Sequence, residues 1–142
     1  MDWQPLPHDY LRAMDADDPP HPQITEAALA RLVDRFYAKV RHDPLIGPIF
    51  NAAVHDWDEH LEKLAGFWSS VMLTTGRYKG NPFGEHQKHP LTPQMFERWL
   101  ALWDETTGEM FEPEAAAQLR FRAQRIGASL QQGLFFRPLA QA

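Results

Sequence analysis

Apolar residues in this chain recur at helical intervals, and nowhere with the alternation of a half-buried strand. Leu29, Leu32, Val33, Phe36, Tyr37 and Val40 follow one another at steps of three, four and seven, the pattern of a single buried helix face. Trp57, Leu61, Leu64, Trp68 and Val71 repeat the pattern, with His60, Leu64, Phe67 and Val71 as an adjoining stripe. Phe96, Trp99, Leu100 and Trp103 form a third face, and Leu119, Ala123, Ile126, Leu130 and Leu134 a fourth. Four substantial helices in an all-α fold follow.

Punctuation between the stripes sets their ends. Thr25 and Asp56 are N-cap residues, and Thr92-Pro93 is a cap followed by the one residue that prefers the first helical position. Asp43-Pro44 ends the first helix, the second runs to about Leu73, and Pro113 opens the last. Gly66, inside the second helix, lowers helix propensity and is expected to allow a close approach. "PLIGPIFN" (44 to 51) reads as a bent connection. "TGRYKGNPFGEHQKHPL" (75 to 91) reads as a long irregular segment, and links of that length in compact domains are usually functional.

Residues 1–24 stand apart as an extension, with five of the twelve prolines and the acidic cluster Asp15, Asp17 and Asp18. A short helical turn is expected around Tyr10 to Met14, and Trp3 and Leu6 are candidates to dock on the domain. The domain spans 25–137 and a tail 138–142. At 142 residues the chain builds one core, not two.

Several function classes are disfavoured. A net charge of −5 without a basic stripe argues against nucleic acid. No apolar run approaches a membrane span, and the acidic, proline-bearing N-terminus is no signal peptide. The absence of cysteine excludes disulfides, cysteine-based zinc sites and thioether-linked haem, and fits a reducing cytoplasm. No nucleophile elbow, phosphate-cradling loop or H-E-x-x-H motif occurs. His86 and His89 could offer two imidazoles to zinc from a helix, but no other ligand pair is indicated and Gly84 and Pro90 interrupt that helix.

The remaining chemistry lies in Tyr37, His60 and Trp99, on three different helices. Each has a bland reading as a core or boundary residue. Together they are three amphipathic donors, and buried donors without partners cost stability. Such a set suits a flat apolar cofactor carrying a partly anionic diatomic ligand, with an axial imidazole arriving from the segment that ends at His86.

Long ordered stretches carry a family resemblance: "FYAKVRHDPLIGPIFN" (36 to 51), "WDEHLEKLAGFWSSVMLTTGRYKGNPFGEH" (57 to 86), "FERWLALWDET" (96 to 106) and "RAQRIGASLQQGL" (122 to 134). Over nearly everything after Ile24 the chain resembles the truncated haemoglobins of group III, whose pattern also includes the "GP" at 47 to 48. The resemblance implies a two-over-two helical sandwich around non-covalent haem b. It implies His86 as the proximal iron ligand, with His89 a bystander at the haem rim. Tyr37 and His60 match the distal positions, and Trp99 the residue that closes the pocket. Phe36 and Phe50 match aromatics beside the porphyrin, and Leu64, Phe67 and Trp68 are wall candidates. It assigns the "PPHPQ" stretch no role.

Reversible binding of oxygen, nitric oxide and carbon monoxide follows from that resemblance, with nitric oxide dioxygenase or peroxidase-like turnover as the enzymology to test. An unidentified reductase or electron donor, a monomeric state and a cytoplasmic location are the accompanying expectations. Rival readings are a redox or gas-sensor protein with His60 as sixth iron ligand, a cofactor-free helical interaction module, and a non-haem metalloenzyme.

Overall fold

The computed structural model describes residues 19–135. The helical turn expected near Tyr10, any docking of Trp3 and Leu6, and the tail 138–142 lie outside them. Six helices make up the described chain: α1 (Glu26–His42), α2 (Gly47–Ala53), α3 (Trp57–Leu73), α4 (Pro82–Gln87), α5 (Pro93–Met110) and α6 (Pro113–Phe135).

The expected caps form. The Ala28 amide donates to Thr25 Oγ1 at 3.1 Å, Glu59 to Asp56 Oδ1 at 3.2 Å, and Met95 to Thr92 Oγ1 at 3.4 Å. Each satisfies one of the amides that a helix start leaves without an internal partner. Two stretches read as irregular each contain a short helix, Gly47–Ala53 and Pro82–Gln87, while 75 to 81 and 88 to 91 are irregular as expected. In 44 to 51, the buried Asp43 carboxylate accepts from the amides of Leu45 and Ile46, both at 3.0 Å, and is itself held by Arg98 Nε at 2.6 Å. That turn aims the chain into α2. It also requires Gly47, where a Cβ would stand 2.9 Å from the Arg41 carbonyl oxygen. In 75 to 91, Asn81 caps α4 through the Gly84 amide at 3.2 Å, with Pro82 in the first turn. This is the same cap-then-proline grammar as Thr92-Pro93, hidden among glycines. Gly66 is not at a close approach, since a Cβ there would meet only Arg77, at 3.8 Å.

Packing gives two stacked pairs. α1 lies against α3, α5 lies against α6, and α1 also packs on α5, which joins the pairs into one core. Phe36 is fully buried at the junction, edge-on to Trp99 and Trp103. Trp103 is sealed as well, its indole N–H donating to the Leu119 carbonyl at 3.0 Å. Burying a side chain of this size contributes roughly 3 to 5 kcal/mol, judged by what its truncation costs. Along α6, Ala115, Ala116, Leu119 and Ala123 are buried, while Ile126, Leu130 and Leu134 are only half-buried.

The end of the N-terminal extension has a structural role. The His21 amide donates to Gln118 Oε1 at 2.8 Å, and the Glu112 amide to Gln23 Oε1 at 2.8 Å. Ile24 then enters the core, so residues 19–24 are stitched to the start of α6.

Candidate functional site

Both stripes of α3 stay largely half-buried: Trp57, Leu61, Leu64 and Val71 of the first and His60 and Phe67 of the second are part-open, and only Trp68 is sealed, while Ser69 and Met72 beside the stripes are buried. α3 packs chiefly on α1 and only sparsely elsewhere. Leu64, Phe67 and Val71, together with Met95, Trp99, Leu100 and Ile126 from α5 and α6, edge the core without being closed over by it. Contiguous large apolar side chains left part-open mark a binding surface, and these, from α3, α5 and α6, outline a candidate cleft.

On one side of this cleft stands Tyr37, delivered by the buried face of α1 and 3% exposed. The His60 ring lies edge-on to it at 6.5 Å between centroids, and Phe50 of α2 at 5.7 Å. Burial pushes the Tyr37 phenol up to about 12, against the pull of a hydrogen bond from Trp99. An indole N–H can only donate, so Trp99 gives to the Tyr37 oxygen and leaves the phenol proton uncommitted. No acceptor for that proton occurs among the described residues. Burial, then the nearby Lys63 charge, lowers the His60 pKa, so its imidazole is neutral at physiological pH.

His86 of α4 approaches from a different element. Its Nδ1 is 2.6 Å from the Pro82 carbonyl one turn earlier. A carbonyl can only accept, so Nδ1 carries the proton and the lone pair is on Nε2. This is the tautomer a metal-binding histidine needs, with the second nitrogen oriented by a carbonyl. The ring stacks on Phe96 of α5 at 6.2 Å and 30°. Phe96 and Trp99 are about one helical turn apart, so α5 supports the His86 side and the Tyr37 side together.

Among the expected site residues, Tyr37, His60, Trp99 and Phe50 cluster directly, and Leu64 and Phe67 line the cleft. Phe36 at 0% and Trp68 at 1% exposure are sealed by neighbouring rings and back the cleft without lining it. Trp57, taken from the sequence as stripe, joins the cluster. Its ring lies 5.7 Å from His60 and 6.2 Å from Tyr37, and the Arg41 guanidinium covers it at 4.6 Å. An aromatic three residues before His60 was the available signal, since that spacing shares a helix face. Among the described residues no three metal-ligating side chains come together, and no helix is long and apolar enough to cross a membrane.

These residues fit haem: part-open apolar side chains, one imidazole with its Nδ1 held by a carbonyl and Nε2 left over, and donors on other elements. Comparison with known proteins agrees. A family model for the bacterial-like globins matches residues 24–122. The Group 3 truncated hemoglobin ctb of Campylobacter jejuni is 37% identical over 117 residues, covering 79% of this chain and 92% of that protein. The crystal structure of group III truncated hemoglobin from Campylobacter jejuni superposes with a TM-score of 0.77 at 35% identity, over 82% of this chain and 96% of that one. This chain belongs to the group III truncated haemoglobins. A truncated haemoglobin binds haem and, through it, diatomic gases. Its two-over-two arrangement is the α1/α3 and α5/α6 pairing described above, and the family match begins at Ile24, where the chain leaves the surface of α6.

Proposed function

We propose that this globin holds haem b non-covalently through His86 Nε2 and retains a gas ligand with donors from Tyr37 and His60, Trp99 closing the pocket with its N–H on the Tyr37 oxygen. Haem, when bound, would supply an iron able to take up oxygen, nitric oxide or carbon monoxide. With no cysteine in the chain, the porphyrin has no thioether to form. Leu64, Phe67 and Phe50 offer it apolar contact, while Phe36 and Trp68 hold those walls in place.

The observation carrying the functional reading is the order of the donors. Trp99 donates to the Tyr37 oxygen, which orients the phenol so that its own O–H is left to give. A ligand that draws electron density outward gains from such a donor, and charge-assisted hydrogen bonds are about twice as strong as neutral ones. The Tyr37 phenol keeps its proton throughout the physiological range, because its pKa is about 12. A neutral His60 adds a second donor through one ring nitrogen. Pre-set donors slow the loss of the gas, which favours its reaction in place over its delivery. We assign oxidation of nitric oxide to nitrate, or peroxidase-like turnover, as that reaction. Either requires an external one-electron donor, and we place the protein in the cytoplasm as a monomer beside such a reductase.

Replacing Tyr37 by Phe tests this. The hydroxyl's hydrogen bond is worth about 1.5 to 3 kcal/mol, so oxygen release in stopped flow should accelerate about tenfold to a hundredfold. Release already as fast as a storage globin's, and unchanged in the variant, would rule the reading out. A second reading draws on His60 having no hydrogen-bond partner among the described residues: its lone pair could coordinate iron as a sixth ligand. A low-spin ferrous spectrum in the parent protein, lost in His60→Leu, would establish it.

A further inference from the structure

The aromatic core holds more order than packing needs. Trp99 and Trp103 are four residues apart on α5 and stack with their planes 5° apart at 5.6 Å. Trp103 in turn stacks on Trp68 of α3 at 4.3 Å and 21°. The other aromatic contacts of Phe36, by contrast, are edge-on. Three near-parallel indoles thus run from the half-buried Trp99, at the Tyr37 hydroxyl, to Trp68 at 1% exposure.

We propose that the Trp99–Trp103–Trp68 stack is an electron reservoir that neutralises an oxidising equivalent generated in the pocket. The proposal rests on the haem-pocket reading above and names hydrogen peroxide as the oxidant. The oxidant takes one electron from the Trp99 indole. Trp103 refills Trp99, and Trp68 refills Trp103, so the electron deficit moves inward. No bond within the indoles breaks. Hydrogen peroxide needs two electrons and two protons to become two waters: the stack gives one electron, a soluble one-electron reductant the other, and buffer acid in the solvent the two protons. The same class of reductant later returns an electron to the stack.

Three features support storage over simple packing. The close stacking of Trp103 on Trp68, at 4.3 Å, lets a positive charge spread over two rings, and the offset parallel Trp99 at 5.6 Å is near enough to pass an electron, which the edge-on contacts serve less well. The Trp103 N–H is held on the Leu119 carbonyl at 3.0 Å, and a carbonyl is too weak a base to remove the proton, so the oxidised ring stays a reversible cation. With no cysteine present, indoles and phenols are the sulfur-free side chains that yield an electron most readily.

The experiment mixes the haem-loaded protein with one equivalent of hydrogen peroxide and freezes it within milliseconds for electron paramagnetic resonance. Ring-deuterated tryptophan narrows the signal if the spin is on indole. Expected are a tryptophan radical in the parent protein, its loss in Trp103→Phe, and faster irreversible bleaching of the Soret band in that variant. Trp68→Phe removes the inner ring and should lower the radical yield, and an unchanged Soret band and carbon monoxide spectrum in that variant show that the walls Trp68 backs have kept their place, which keeps the test open if Trp103→Phe fails to fold. An intact Soret band with no indole spin, or a yield unchanged in both variants, overturns the proposal. A parent protein without a Soret band would instead count against the haem reading.

Discussion

Gly133 sits on α6 where it faces Phe83, three residues before His86 on α4. A Cβ at 133 would lie 2.5 Å from Phe83 Cε1, closer than real Cβ contacts come. Gly133→Ala therefore sets two effects against each other. Alanine improves helix propensity by about 1 kcal/mol at this exposed position. Against that, Phe83 must move, and overpacking of this kind costs typically about 1 to 3 kcal/mol. The strain falls on α4, a helix of six residues held by one cap and a few contacts to α6. The variant's apo form should hence be between equally stable and about 2 kcal/mol less stable than the parent. If haem is held through His86 as proposed, it should be lost about tenfold faster or more from the displaced helix, since about 1.4 kcal/mol is tenfold. Haem transfer to an excess of an apo-globin acceptor, followed at the Soret band, measures the second quantity; thermal circular dichroism of the apo form measures the first. Unchanged haem loss would show that Phe83 swings aside freely and that α4 is not positioned through Gly133.

Other outcomes follow from single contacts. His86→Gly should remove the axial ligand and shift the ferric and ferrous spectra, and added imidazole should restore the five-coordinate spectrum; no spectral change on mutation would place the iron ligand elsewhere. Asp43→Ala leaves two amides and Arg98 without their acceptor, and since Arg98 is 46% exposed the loss is about 2 to 3 kcal/mol, read by urea unfolding. Amide bonds from Ile46 and Leu45 and the Arg98 charge outweigh burial and hold the Asp43 carboxyl below its usual value of 3.8, so its stabilisation is complete above that pH and is lost as pH falls through the lowered value. His60 is the neutral counterpart: with its folded pKa below 6.5, the unfolded chain binds more protons and stability drops as pH falls from 6.5, a slope that His60→Gln should flatten in melts across pH 4 to 7.

The amino-acid sequence by itself determined the four long helices, because their apolar period and their caps are local signals. Thr25, Asp56 and Thr92 act within three residues of where they stand. It also yielded the family and the candidate residues. Less legible were α2 and α4, where glycine and proline mask short helices whose starts depend on Asp43 bound to Arg98, and on Asn81. Only the tertiary structure decided which donors meet. Tyr37 and Trp99 are 62 positions apart, and their hydrogen bond exists because α1 packs on α5. Likewise, the periodicity of α3 could not separate Trp68, sealed by Trp103, from the stripe residues left part-open around it, since all repeat at the same interval. The tautomer of His86 waited on a carbonyl that only a folded α4 presents. Local patterns specify which face of a helix is apolar, but what covers that face depends on a partner distant in the chain.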